Sequence, residues 1–175
     1  RWLILSVTYR LALSDDSAPI AYAELAERLG VSVGDTAPTR RVRRAVLELR
    51  RSKGMVVDID DHDTWSCGSF FTNPIVTQDV ARQLPDDAPR WPVSDGLVKL
   101  SAAWLIGAAG IGKGFALPGS DAAISSRHTL AICNRGRASA TQVVELATEV
   151  QARVDRQFGI RLEPEPRLIH SPLAA

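Results

Sequence analysis

The clearest periodicity lies near the C-terminus. Val143, Ala147, Val150, Val154 and Phe158 recur three or four residues apart, the spacing of one helix face. Ser139 and Gln142 form a capping box, and Gly159 supplies a stop, so the pattern predicts a helix over 139–158. Two shorter helices are predicted upstream. Leu25 and Leu29 sit four apart before Gly30, giving a helix over 21–29, and a linker over 31–38 follows. Pro38 opens the second helix, over 38–52, which carries Val42, Ala45, Val46 and Leu49 as its stripe and ends before Gly54. Leu100, Trp104 and Leu105 predict a further helix over 97–109, broken by the glycines from 110 to 119. The run RWLILSVTY at 1–9 loads both faces with β-formers and predicts a buried strand; 129–133 predicts a second, short one. Residues 85–92 read as a loop, and Pro164 and Pro166 keep 161–169 extended.

Composition narrows the class. With 175 residues, 45% of them hydrophobic, the chain can build a core. Its 21 basic and 20 acidic residues leave a net charge of +1, which gives no global reason to expect nucleic acid or an anionic membrane as partner. The most apolar uncharged stretch, 100–112, is too short for a bilayer, which needs about 20 residues. Two cysteines make no disulfide framework. The chain starts at Arg1 with no secretory leader, and is expected to be a piece of a longer protein.

Several segments suggest chemistry and then weaken under inspection. A short helix followed by an Arg-rich one, with seven cations and one acid over 40–53, suggests a winged-helix DNA-binding module at residues 20–53. The acids Asp58, Asp60, Asp61 and Asp63 follow at once and cancel much of that field, and the connector from 30 to 38 is long for the motif. These acids, around His62, read as a solvated loop more readily than as a cation site. Gly107 to Lys113 has the spacing of a P-loop start, but Gly114 stands where Ser or Thr must hold magnesium. His62, His128 and His170 lie far apart and have no cysteine pair at zinc spacing. Ser69 follows Gly68 and precedes Phe70 and Phe71, where either a backbone hydrogen bond or a ligand could claim its hydroxyl. Glu165 is stiffened between two prolines, as a structural acceptor or as a positioned acid or base.

Taken in order, GSFFTNP (68–74), KLSAAWLI (99–106), AGIGKGF (109–115), SSRHTLAICN (125–134) and LEPEPRLI (162–169), with AYAEL (21–25) and RRSKGM (50–55) upstream, resemble the UDP-N-acetylenolpyruvoylglucosamine reductase (MurB) family. The resemblance covers nearly the whole chain. It implies an α+β fold. Residues 1–57 would be the C-terminal part of a PCMH-type FAD-binding domain. Residues 58–160 would be a substrate-binding domain of antiparallel sheet and helices, and 161–175 a strand returning to an N-terminal domain that the chain lacks.

The implied activity is reduction of UDP-N-acetylglucosamine enolpyruvate to UDP-N-acetylmuramate by a cytoplasmic monomer, with FAD as cofactor and NADPH as co-substrate. Neither nucleic acid nor membrane is implied as partner. The resemblance makes Ser69 the proton donor and Glu165 its partner beside the reacting carboxyl. It puts Asn73 and Lys113 on the substrate phosphates, Tyr22 and Lys53 over the nucleotide sugar, and Gly68 and Arg167 toward the flavin. His128 stands where relatives often carry an amide, Cys67 where they carry a small residue, Gly107 where they carry an acid, and Pro166 where they carry valine. Most of the FAD-binding surface and a catalytic arginine belong to the N-terminal half in this family. The chain alone is therefore expected to be inactive and to bind FAD weakly or not at all.

Overall fold

The computed structural model describes residues 4–169. The chain divides into two compact units, one running to Arg51 and the other beginning at Ser52.

In the first unit, helix α1 (Ala23–Leu29) ends at Gly30, whose φ of +69° is a left-handed cap. Helix α2 (Thr39–Ser52) buries only Ala45 fully. Ile20, Ala26, Leu29, Ala37 and Ala45 make a small core, with Leu25, Val31 and Val42 packed on it. The expected strand at 1–9 does not appear: residues 1–3 lie outside the described residues, and 4–9 are exposed with no regular element. A strand needs a neighbour to take its N–H and C=O groups, and none pairs with 4–9 among the described residues.

The second unit carries both sheets. Strand β1 (Ser66–Ser69) pairs antiparallel with the later strand β6 (Ala131–Asn134), which pairs antiparallel with β5 (Ala122–Ile124). The other sheet has strand order β2 (Ile75–Thr77), β4 (Leu97–Leu100), β3 (Arg90–Ser94), also antiparallel. Short helix α3 (Gln78–Arg82) follows β2, and α4 (Ala102–Ala108) follows β4. Helix α5 (Ala140–Phe158) has the predicted capping box at Ser139 and Gln142 and the left-handed Gly159. Its buried face, Leu146, Ala147, Val150 and Val154, joins Phe70, Phe71, Leu105, Ile106, Ile111 and Leu162 in one core. Phe70 and Phe71 meet edge to face at 5.1 Å between ring centroids.

Two expectations need correction here. The helix predicted over 97–109 is a strand and a helix with Ser101 between them. Ser101 Oγ accepts from the Trp104 amide as an N-cap, while the Leu100 amide donates to Pro74 O in the sheet. The loop predicted over 85–92 ends in β3, which joins β4 through Asp95 and Gly96, both at positive φ; that is the Asp-Gly hairpin signature. Of the strand expected over 161–175, residues 170–175 lie outside the described residues; 161–169 form no strand, but their backbone pairs with 70–72: Thr72 N donates to Glu163 O (3.0 Å) and Glu165 N to Phe70 O (2.9 Å). Gln151, buried on α5, donates to Leu162 O at 2.6 Å and pins that tail to the core.

Candidate functional site

A bulge at the end of β1 presents Ser69. Ser66 pairs with Cys133 and Ser69 with Ala131, so three steps on β1 oppose two on β6. Gly68 takes up the extra residue at φ +86°, a conformation that favours glycine. Bulges of this kind re-aim the side chains beside them. Ser69 is half-buried, and among the described residues its hydroxyl has no hydrogen-bond partner. The backbone hydrogen bond that would make it an ordinary turn serine is absent from this set.

The 70–72 to 163–165 pairing brings Glu165 to the segment that follows Ser69. Phe71 bridges Pro164, which leaves Glu165 opposite Phe70, one residue from Ser69. Glu165 and Arg167 are both exposed. On the other side, Phe70 N donates to Leu130 O at 2.8 Å, which ties β1 to the loop carrying His128.

Lys53 and Lys113 form a cationic group beside the His128 ring. Burial lowers the His128 pKa most, a backbone hydrogen bond opposes that, and the charges of Lys53 and Lys113 lower it further. The ring is thus held neutral at pH 7. Its Nδ1 accepts from the Leu130 amide at 3.2 Å, so the neutral ring carries its proton on Nε2. Lys113 is exposed on the glycine loop after α4. That loop is fixed at its two ends: Ile111 N donates to Ile106 O, and Gly114 N donates to Ile124 O and Ser125 O. It follows a helix, not a strand, so it is no P-loop. Asn73 is exposed, and its Oδ1 accepts from Ala102 N at the start of α4, leaving its NH2 group for other partners. Tyr22 stands in the first unit, exposed at the N-terminal end of α1.

The acidic run is a solvated loop in part: Asp58 and Asp60 are exposed as expected, while Asp61 and Asp63 are tied into the fold. Asp58 O accepts from Trp65 Nε1 and Thr64 Oγ1, and Asp61 Oδ1 accepts from Asp63 N. Asp63, its side chain 12% exposed, accepts at Oδ1 from Ser126 N and at Oδ2 from Ser125 Oγ and Ser126 Oγ. Burial pushes its carboxyl up, but those three hydrogen bonds and the Arg127 charge outweigh burial and hold it below the usual value. Among the described residues, no group of three His, Cys, Asp or Glu could hold a metal ion, and no helix is long and apolar enough to cross a membrane.

Sequence reasoning gave no site role to Asp63, Ser125, Arg127 or Arg135. The serines and Arg127 stand in the SSRHTLAICN segment, and their hydroxyl-rich spacing before His128 was a usable signal. Arg135 had none; a Cβ on Gly114 would lie 3.8 Å from its Nη2, which places a guanidinium beside the lysine loop. A separate open cavity of about 500 Å³, lined by Trp65, Phe70, Ile132 and Val143 with Cys67 on its wall, holds none of the predicted site residues.

The first unit gives the DNA-binding reading little to stand on. Arg28 and Arg44 pair with Glu48, Arg41 donates to Leu29 O, and the unit's described residues hold an isolated bridge (Asp16 to Pro38) in place of a hairpin wing.

Comparison with known proteins agrees with this picture. Residues 60–169 match the family model of the UDP-N-acetylenolpyruvoylglucosamine reductase C-terminal domain. A UDP-N-acetylenolpyruvoylglucosamine reductase of Leifsonia xyli is 53% identical over 87% of this chain and 47% of its own length. Proteins of the same name are 48% identical in Salinispora arenicola, over 99% of this chain and 50% of theirs, and 51% identical in Cutibacterium acnes, over 97% and 44%. The chain spans about half the length of these relatives. None of them is named as a DNA-binding protein.

Proposed function

The chain belongs to the family of the UDP-N-acetylenolpyruvoylglucosamine reductase C-terminal domain, and on that basis we propose that it forms the substrate-binding part of a reductase acting on UDP-N-acetylglucosamine enolpyruvate. The product is UDP-N-acetylmuramate, a peptidoglycan precursor, with FAD as cofactor and NADPH as co-substrate. A nucleotide sugar and NADPH place the reaction in the cytoplasm. Residues before about 57 belong, in this reading, to a PCMH-type FAD-binding domain. The observation that supports the proposal most is the backbone pairing of Glu165 with Phe70, the residue after Ser69 at the β1 bulge, in a chain of this family.

The residues present leave room for a flat ring. A Cβ on Gly68 would meet nothing within 4 Å, so the backbone next to Ser69 is open to close approach. Gly68 and Arg167 are the residues here that would face the flavin. FAD, when bound and reduced by NADPH, supplies the hydride for the vinyl carbon. The neighbouring carbon then takes a proton, and the Ser69 hydroxyl delivers it. A serine hydroxyl is a weak acid, so its accurate aim at the bulge is what makes it useful. Glu165 sits beside the substrate carboxyl and assists that step.

The cationic group receives the nucleotide. Lys113 meets the diphosphate as a point charge, and the Asn73 NH2 group donates to the same oxygens. Neutral His128 donates from Nε2. Lys53 binds over the nucleotide sugar. The test uses the protein purified as its source makes it. Ser69→Ala should abolish reduction of the enolpyruvyl substrate while NADPH still bleaches the flavin. Full turnover by that variant would refute the assignment.

A further inference from the structure

Asp63 lies at a junction of the segments that carry the cationic group. Its carboxylate holds Ser125 and Ser126. Its carbonyl accepts from Cys133 Sγ on β6 at 3.0 Å. A Cβ on Gly54, the residue after Lys53, would lie 3.3 Å from the same carbonyl, so the chain at Lys53 passes directly over Asp63. Ser125 is 1% exposed and connects the rest. Its carbonyl accepts from Gly114 N, next to Lys113, and its Oγ accepts from the amides of Arg127 (3.0 Å) and His128 (3.1 Å).

That last pair fixes the proton. With two N–H groups donating to it, Ser125 Oγ must give its single hydrogen away, and Asp63 Oδ2 takes it at 2.9 Å. We infer that Asp63, acting through Ser125, is a positioning residue that sets Lys53, Lys113 and His128 in one cradle for the diphosphate and sugar of a UDP-linked substrate. Asp63 itself touches no ligand in this scheme. Arg127 completes the junction, with Nη1 on Asp61 Oδ2 at 2.7 Å and Nε 3.9 Å from Asp63 Oδ2. The inference rests on the substrate assignment above for its ligand, but not for its effect on His128.

Asp63→Asn is the sharp variant because it keeps the shape. If the new amide turns its NH2 toward Ser125, donor faces donor. If it turns the other way, the NH2 faces the Ser126 amide. Either choice leaves a donor without an acceptor and lets the 125–128 turn shift. Two measurements on the full chain test this: calorimetric titration with UDP, and ¹⁵N NMR of the histidine rings. Asp63→Asn should weaken UDP binding about tenfold, the effect of one lost charge-assisted bond, and should replace the single Nε2–H form of His128 by a mixture. Ser125→Ala should do the same, and the double variant should be no worse than either single one, since both cut one relay. Ser126→Ala, which removes a bond that does not lead to His128, should bind UDP as the parent does.

A folded Asp63→Asn chain with unchanged UDP affinity, or with unchanged His128 signals, overturns the inference. If Asp63→Asn does not fold, Ser125→Ala decides by the same two readouts. If the parent chain takes no UDP while Asp63→Asn still disturbs His128, the substrate assignment fails and the positioning of His128 stands.

Discussion

Gly68→Ala isolates what the β1 bulge costs to hold. Gly68 sits at φ +86°, and an added Cβ would meet nothing within 4 Å. The substitution therefore adds no contact and no clash; only the backbone term remains. A side chain in the left-handed region costs about 1–2 kcal/mol. Alanine also narrows the unfolded ensemble, which offsets about 0.4–1 kcal/mol of that. The net expectation is a loss of about 0–1.6 kcal/mol, read as a lower urea midpoint at unchanged slope. Gly136→Ala is the control. It combines φ +123° with a Cβ only 3.2 Å from His62 Cε1, so it should cost clearly more. A clearly stabilising Gly68→Ala would mean that the bulge is not held at positive φ. A loss above about 3 kcal/mol would mean that the position is crowded. A chain that escapes the strain by removing the bulge slips β1 by one residue and turns Ser69 to the opposite face. The same variant should then lose substrate reduction out of proportion to its stability.

The remaining expectations each address one group. Gln151→Leu removes the donor that satisfies the buried Leu162 carbonyl and should cost about 1–3 kcal/mol by urea unfolding; a neutral result would show the tail held without it. Cys133 is buried, and burial, with Asp63 next, pushes its thiol up to about 11. Cys67 is exposed, so a thiol reagent at pH 8 should modify one cysteine quickly in the folded chain and two in denaturant; two fast thiols would refute the burial. The folded-state pKa of His128 lies below its ordinary 6.5, so the unfolded chain binds the proton more readily. The resulting stability is whole above pH 6.5 and is lost as pH falls below it. Asp63 is also lowered, from 3.8, and its contribution is lost as pH falls through that lower range. Both signs agree, so unfolding midpoints should decline from pH 7 toward pH 3. His128→Gln should remove the decline near pH 6 and leave the one below pH 4.

How much of this could be read from the chain depended on whether a residue's task was local. Helix α5 was legible to its caps because Ser139, Gln142 and Gly159 act on their own backbone. The β3–β4 hairpin carried an equally local sign in Asp95-Gly96, which the helical spacing of Leu100, Trp104 and Leu105 obscured. That spacing crossed an N-cap at Ser101, and a cap outranks periodicity because it satisfies amides that would otherwise be orphaned. The site divides in the same way. Ser69, Lys113 and His128 stand in motifs recognisable by order, but what places them is not in those motifs. Glu165 is brought opposite Phe70, the neighbour of Ser69, by a backbone bond across 95 positions. Asp63 meets Ser125 across 62 positions. Four aspartates in six residues look like a solvated face until the partners arrive from β6 and its preceding loop. A carboxylate that accepts three hydrogen bonds cannot be told from an exposed one by its neighbours in sequence. Only the folded topology supplies the donors. For that reason the groups proposed to touch the substrate were named from the sequence, whereas the group inferred to hold them in place was not.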